Sequence, residues 1–289
     1  MPRSTVVDGF SLAYDRRGSG PAVVLLHGWP GDRHDWRDVV ARLGDEFTTV
    51  MPDLRGFGES SKPTSDPTPY GAPGQVASVL GLIAELGLER PVVAGYDVGS
   101  RTAQQLARAA PAQIGALVVA PPMPGIGDRV LTPEAQTEFW YQPFHRLELS
   151  ERLLDGDRVA VRAYLEHFWS HWSGPSFTPD PDELDRLAGI YGEPGAFVAS
   201  IGWYRAGSGT VATSLAERAP APDERISVPT TVLWPEHDPL FPPAWGDRLG
   251  AFFSDVSRHD LADVGHFSPL EAPDRFAAAI SAAAGRLGL

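Results

Sequence analysis

Residues 92–111 read VVAGYDVGSRTAQQLARAAP, an apolar run that passes directly into a helical pattern. At the junction stand Gly95, Tyr96, Asp97, Val98, Gly99 and Ser100. A tight strand-to-helix turn lifts one side chain above the edge of a sheet and needs small neighbours, because the backbone folds back on itself there. Gly95, Gly99 and Ser100 meet that need around Asp97. The pattern that follows puts Ala103, Leu106, Ala107 and Ala110 on one helical face and stops at Pro111. Taken alone, Asp97 reads equally well as a helix cap. The rest of the chain decides between the two.

Outward from this elbow, strand and helix patterns alternate. Upstream, AVVLLH (22–27) is apolar throughout, as suits a strand buried on both faces of a parallel sheet. FTTVMPD (47–53) and IGALVVA (114–120) read as further strands, with helices expected over 35–43 and 75–88. In the second helix Val76, Val79, Leu80 and Ile83 share a face. The opening STVVDGFSLAYDRRG predicts two short strands about a turn at Asp8-Gly9. PTTVLWPEHD (229–238) predicts another strand, followed by a helix over 244–253, a short strand near Val256 and a last helix over 273–287. This rhythm implies an α/β fold: an open, mostly parallel sheet with helices on both faces. It breaks at PPMPG (121–125), after which the chain is helical and aromatic and holds Trp140, Trp169, Trp172 and Trp203. The expected division is a core of residues 1–121 and 212–289, with residues 122–211 inserted as a helical lid.

With 289 residues and 43% hydrophobic composition, the chain is long enough for one large packed domain. A net charge of −13 argues against a nucleic-acid partner. Cysteine is absent, which removes disulfides and thiol chemistry, and no zinc-type ligand cluster is seen. No apolar segment is long enough to span a bilayer, and the first residues lack the apolar core of a signal peptide. The chain is expected to be cytoplasmic, with no membrane, metal or cofactor partner.

In open α/β sheets, function gathers at the C-terminal ends of the strands. The 22–27 strand ends at HGWPG, the 229–238 segment places Asp238 in a loop, and DVGHFSPLEAPDRF places His266 before the last helix. Nucleophile, acid, histidine is the chain order of an α/β-hydrolase. Singly, Asp238-Pro239 is a turn and His266 a solvated loop residue; together and in order they read as a triad. Glu236 is the alternative acid if the loop turns differently.

The whole chain resembles an α/β-hydrolase, specifically the epoxide hydrolase branch. HGWPG is similar to that branch's oxyanion motif, DLRGFGES (53–60) to its following loop, GYDVGS to its aspartate elbow and VGHFSPLEAP to its histidine loop. FWYQPFH and GWYRAG resemble the lid segments that carry two tyrosines, which fall here at Tyr141 and Tyr204. Haloalkane dehalogenases usually place tryptophan after the nucleophile, where this chain has Val98. Fluoroacetate dehalogenases resemble it at Arg101 and Tyr204, but they carry arginine at Val98 and a His-Trp pair at Tyr141-Gln142.

The resemblance implies that Asp97 attacks an epoxide carbon to form a hydroxyalkyl ester, while Tyr141 and Tyr204 hold the departing oxygen. His266, oriented by Asp238, then activates water against that ester. The backbone N–H groups of Trp29 and Val98 form the oxyanion hole. Trp29, Trp140, Phe144 and Trp203 are expected to line a pocket for an apolar epoxide, aryl-bearing ones included. His27 is expected to be structural, and Arg101 to cap or salt-bridge near the elbow. The partners are a small-molecule epoxide and water, with the chain a monomer or homodimer. The alternatives are a haloalkane or haloacid dehalogenase using the same Asp97 ester, and a non-catalytic ligand-binding homologue.

Overall fold

A computed structural model describes residues 2–63 and 66–288. Seven strands form one sheet in the order β1-β3-β2-β4-β5-β6-β7. They are β1 (Tyr14–Arg17), β2 (Ala22–Leu26), β3 (Thr48–Pro52), β4 (Val92–Gly95), β5 (Ala116–Val119), β6 (Thr230–Pro235) and β7 (Val256–Leu261). Only β1 runs antiparallel, against β3; the other pairs are parallel. The strands read as unbroken apolar runs are buried along their whole length: β2, β4, β5 and β6 have no exposed residue.

The core helices are α1 (Arg37–Leu43), α2 (Ala72–Glu85) and α3 (Asp97–Ala109), with α12 (Leu249–Phe252), α13 (Ser268–Glu271) and α14 (Pro273–Arg286) after the insertion. Helix α2 starts earlier than its apolar spacing predicts, with Pro73 in its first turn. Its buried face is Val76, Val79, Leu82 and Ile83, while Leu80 is half-buried. The expected helix over 35–43 is a 3-10 turn (Arg33–Trp36) leading into α1. The Asp8-Gly9 turn is present, with Val7 and Phe10 exchanging backbone hydrogen bonds of 2.8 and 2.9 Å. Its arms make only isolated bridges, because Tyr14–Arg17 pairs with β3 instead. A two-stranded hairpin is marginal alone, and the edge of a larger sheet offers more.

Between β5 and β6 the chain leaves the sheet and forms α4 (Pro133–Glu138), α5 (Tyr141–His145), α6 (Glu148–Leu154), α7 (Arg158–His171), α8 (Pro181–Tyr191), α9 (Ala196–Ser200), α10 (Gly202–Arg205) and α11 (Thr210–Ser214). The helical stretch thus ends a little past residue 211. It is pinned to the loop after β2. The Trp169 indole donates to the Pro30 carbonyl (3.0 Å), the Tyr191 hydroxyl to the Gly31 carbonyl (2.5 Å), and Arg186 makes a two-pronged ion pair with Asp32 (2.6 and 2.9 Å). Asp32 is fully buried, so this pair is shielded from the screening that weakens surface ion pairs. No helix among the described residues is long and apolar enough to cross a membrane.

Candidate active site

The elbow forms where β4 meets α3. Tyr96 is extended, and Asp97 then takes φ +48°, a left-handed conformation that costs a non-glycine residue about 1–3 kcal/mol. Surrounding contacts hold it there. The Asp97 N–H donates to the Pro121 carbonyl at 3.0 Å. The Tyr96 hydroxyl donates to Asp35 at 2.6 Å, beneath the elbow. A side chain on Gly99 would run into the Leu26 carbonyl, so only glycine lets the first turn of α3 lie against the end of β2. The result is a carboxylate raised above the sheet and still mostly shielded, at 7% exposure.

The loop after β2 reaches over it. The Trp29 backbone N–H donates to Asp97 Oδ1 at 2.8 Å. Val98 opens the first turn of α3, where backbone N–H groups lack an intrahelical acceptor. The DLRGFGES segment braces this loop from below: Asp53 accepts from the Arg33 backbone N–H at 2.9 Å and pairs with its guanidinium. His27 is structural, as expected. Its ring spans Gly28 O (2.8 Å) and the Leu54 N–H (3.0 Å), and burial pushes its pKa down.

Asp238, in the loop after β6, accepts from the Leu240 N–H (2.9 Å) and pairs through Oδ2 with His266 Nδ1 (2.9 Å). Glu236, the alternative acid, is exposed and is not brought to His266. His266 Nε2 faces Asp97 Oδ2 at 3.6 Å and has no hydrogen-bond partner among the described residues. Burial opposes the charged imidazolium, but the carboxylates of Asp238 and Asp97 outweigh it and raise the His266 pKa to about 10.

The inserted helices carry Tyr141 and Tyr204, both buried, with ring centroids 5.5 Å apart and near enough to Asp97 to feel its charge. Burial, then the Asp97 charge, pushes Tyr141 well above the usual phenol range. Burial, Tyr141 and Asp97 do the same for Tyr204. Both therefore keep their protons at neutral pH. Gln142 orients the first: its Oε1 accepts from the Val211 N–H (3.0 Å), which turns its Nε2 to donate to the Tyr141 oxygen (3.1 Å). The Tyr141 proton is left to point elsewhere. A groove of about 250 Å³ lined by Gln142, Tyr204, Val211 and Leu215 opens beside this pair.

Of the expected lining residues, Trp29 lies at the centre, stacked on Tyr141 at 5.7 Å and 4°. Trp140 does not: it is 40% exposed on the outer side of the inserted helices, packed on Phe144 and Phe168. Phe144 is half-buried in that outer layer. Trp203 is buried but makes no ring contact with Trp29, Tyr141 or Tyr204. The ring neighbours of Trp29, Tyr141 and His266 include residues outside the expected set. Trp172 stands 5.0 Å from the His266 ring and 5.1 Å from Tyr141. Phe168 and His145 stand 5.0 and 4.8 Å from Trp29. The apolar spacing of Leu165, Phe168 and Trp169 on α7, continued by Trp172 just past its end, was the available sign of them.

Arg101 pairs with Glu217 at 3.2 Å, in the salt-bridge role expected of it. Asp32, Asp35 and Glu183 are close enough to share an ion. Arg186 already bonds two of them and supplies the positive charge there.

Residues 21–273 match the family model described as alpha/beta hydrolase fold. The chain is 27% identical over 276 residues to the soluble epoxide hydrolase of Corynebacterium sp. (strain C12), covering 93% of this chain and 91% of that protein. It is 32% identical over 199 residues to the fluoroacetate dehalogenase of Burkholderia sp., covering 67% of this chain and 64% of that one. It also superimposes at a TM-score of 0.83 and 25% identity on a solved structure reported under novel epoxide hydrolases from metagenomes of hot environments, over 98% of this chain and 97% of the other.

Proposed function

The chain belongs to the α/β-hydrolase fold family, and from that premise we propose that it is an epoxide hydrolase that opens an apolar epoxide to a vicinal diol through an ester on Asp97. The observation that carries this is the pairing of two buried phenols, Tyr141 and Tyr204, rings 5.5 Å apart and both within reach of the Asp97 charge. An epoxide carbon is saturated and is attacked by displacement. A carboxylate is already anionic and needs no base for that attack. The oxygen that departs is a poor leaving group unless a donor meets it, and two phenols are such donors.

In the first step an Asp97 oxygen displaces the ring oxygen, one C–O bond forms and one breaks, and a tyrosine proton goes to the released oxygen. In the second step His266 takes a proton from water, which attacks the carbonyl carbon of the new ester. Asp238 holds the resulting imidazolium through Nδ1, the acyl C–O bond of the ester breaks, the departing diol oxygen takes the proton from His266, and the tyrosinate left by the first step is reprotonated from water. The Trp29 N–H already contacts Asp97 Oδ1 and would bind the oxyanion there, with the Val98 N–H as its companion. Alkylation also cancels the charge on Asp97, one of the two anions that hold His266 protonated. The imidazole thus becomes a base at the stage that needs one.

In this proposal residues 122–211 act as a lid. Trp29, Trp172 and Phe168 supply the ring faces against an apolar or aryl substituent, and no metal or cofactor takes part. A dehalogenase would use the same Asp97 ester. A halide, however, leaves as a stable anion that needs hydrogen-bond donors but no proton, so it does not call for two protonated phenols. Incubation with styrene oxide and, separately, with fluoroacetate tests the proposal: diol from the first supports it, and fluoride from the second without diol from the first overturns it.

A further inference from the structure

The short helix α13 ends in Glu271, a half-buried carboxylate in the loop system that carries His266. Its Oε2 accepts from the backbone N–H groups of Gly265 (2.7 Å) and Gly174 (2.9 Å), and its Oε1 from that of Phe267 (3.1 Å). Two of these donors flank His266. The third belongs to the lid, in the turn after α7. The lid returns the contact, since the Trp172 carbonyl accepts from the His266 N–H at 2.8 Å. The two backbones touch: a side chain on Gly174 would fall 2.8 Å from both Glu271 Oε2 and Gly265 N.

We propose that Glu271 is a positioning residue whose single carboxylate clasps the lid to the histidine loop and so holds His266 at its working distance from Asp97. The inference rests on the reading above, in which His266 is the base that hydrolyses the Asp97 ester.

Hydrogen bonds to an ionised acceptor are roughly twice as strong as neutral ones, and three converge here. Burial pushes the Glu271 carboxyl up from its usual range, while the three N–H donors and His266 act against that rise. The lid has other anchors, at Pro30, Gly31 and Asp32, well away from the histidine loop in sequence. Losing the Glu271 clasp therefore leaves the lid seated and loosens His266. Glutamine fits the space but fails the chemistry. Its amide nitrogen would set N–H against N–H at one end or the other.

Ester formation needs Asp97 and the lid tyrosines, whereas ester hydrolysis needs His266 in place. In Glu271→Gln the second step should slow by roughly 10- to 100-fold, the scale of a misplacement near 1 Å, with the first little changed. Mass spectrometry of enzyme quenched during turnover of styrene oxide should then show a larger fraction of protein plus substrate than wild type quenched in the same way. KM should fall together with kcat, as it does when a second step becomes limiting. Equal slowing of both steps without adduct, or unchanged kcat, would overturn the inference. Should Glu271→Gln not fold, Gly174→Ala wedges the lid off the same clasp, and adduct or its absence decides in the same way. The His266→Gln variant tests the underlying reading: without adduct there, the ester scheme itself fails. Adduct in His266→Gln but not in Glu271→Gln refutes the clasp alone.

Discussion

His266 Nε2 stands 3.6 Å from Asp97 Oδ2, too far for a hydrogen bond and near enough for one charge to feel the other. In the proposed second step this gap lies between His266 as base and the ester carbon on Asp97 that water attacks. A water placed between them can lose a proton to Nε2 while its oxygen approaches the Asp97 carboxyl carbon. Nδ1 is committed to Asp238 at 2.9 Å, so the ring is held in the orientation that keeps Nε2 on this line.

The covalent scheme fixes the source of one product oxygen. In heavy-oxygen water, a single turnover with excess enzyme should put label into Asp97 and leave the diol unlabelled, because the diol oxygen comes from the carboxylate. Asp97→Ala should abolish turnover without loss of fold by circular dichroism. Label appearing in the diol on the first turnover would mean direct attack by water.

His266→Gln should form the ester and fail to release it. Loss of a positioned base costs about 100- to 10,000-fold. Diol production should fall by that order while adduct reaches one per chain. Only unmodified protein with a reactive epoxide would remove His266 from the second step.

The same geometry sets a pH dependence. With Asp97 anionic, His266 stays protonated up to about pH 10, and burial acts against that charge. Alkylation removes the Asp97 anion, so the His266 pKa in the ester falls below that value. Hydrolysis of preformed ester should accelerate as pH rises through this lower pKa and then level off. At more acidic pH the adduct should accumulate. A hydrolysis rate independent of pH between 5 and about 10 would exclude His266 as the base.

Tyr141→Phe and Tyr204→Phe should each slow ester formation by about 10- to 1000-fold, the range for a lost proton donor or oxyanion donor. The double variant should be nearly inactive on epoxides, yet hydrolyse an ester already formed. Phenylalanine fills almost the same volume, so rings that merely pack would keep most activity. Near-normal epoxide turnover by the double variant would move weight to the dehalogenase chemistry.

Trp172 and Trp140 make a matched pair. Trp172 is buried between His266 and Tyr141, whereas Trp140 is 40% exposed. Trp172→Ala should cost about 3–5 kcal/mol in urea unfolding and impair both steps. Trp140→Ala should cost nearer 1 kcal/mol and leave substrate preference unchanged. A shift in preference with Trp140→Ala would return that residue to the pocket.

The sheet and the elbow were legible in the sequence because their causes are local. A strand buried on both faces is mostly apolar rather than alternating, as β2 and β4 are throughout, and a strand-to-helix turn must have small residues around Asp97. Chain order alone put Asp238 and His266 at strand ends facing Asp97. Which lid aromatic faces the carboxylate was not legible. Trp140 and Trp172 are the same residue type on similar helical patterns, and only the docking of α7 and α8 on the Pro30–Asp32 loop, with the packing of the inserted helices on one another, turns one outward and the other onto His266. The clasp at Glu271 was equally hidden, since its donors at Gly174, Gly265 and Phe267 are backbone N–H groups that every non-proline residue carries. Sequence determines which residues can take part in chemistry. The packing of distant segments decides the distances between them.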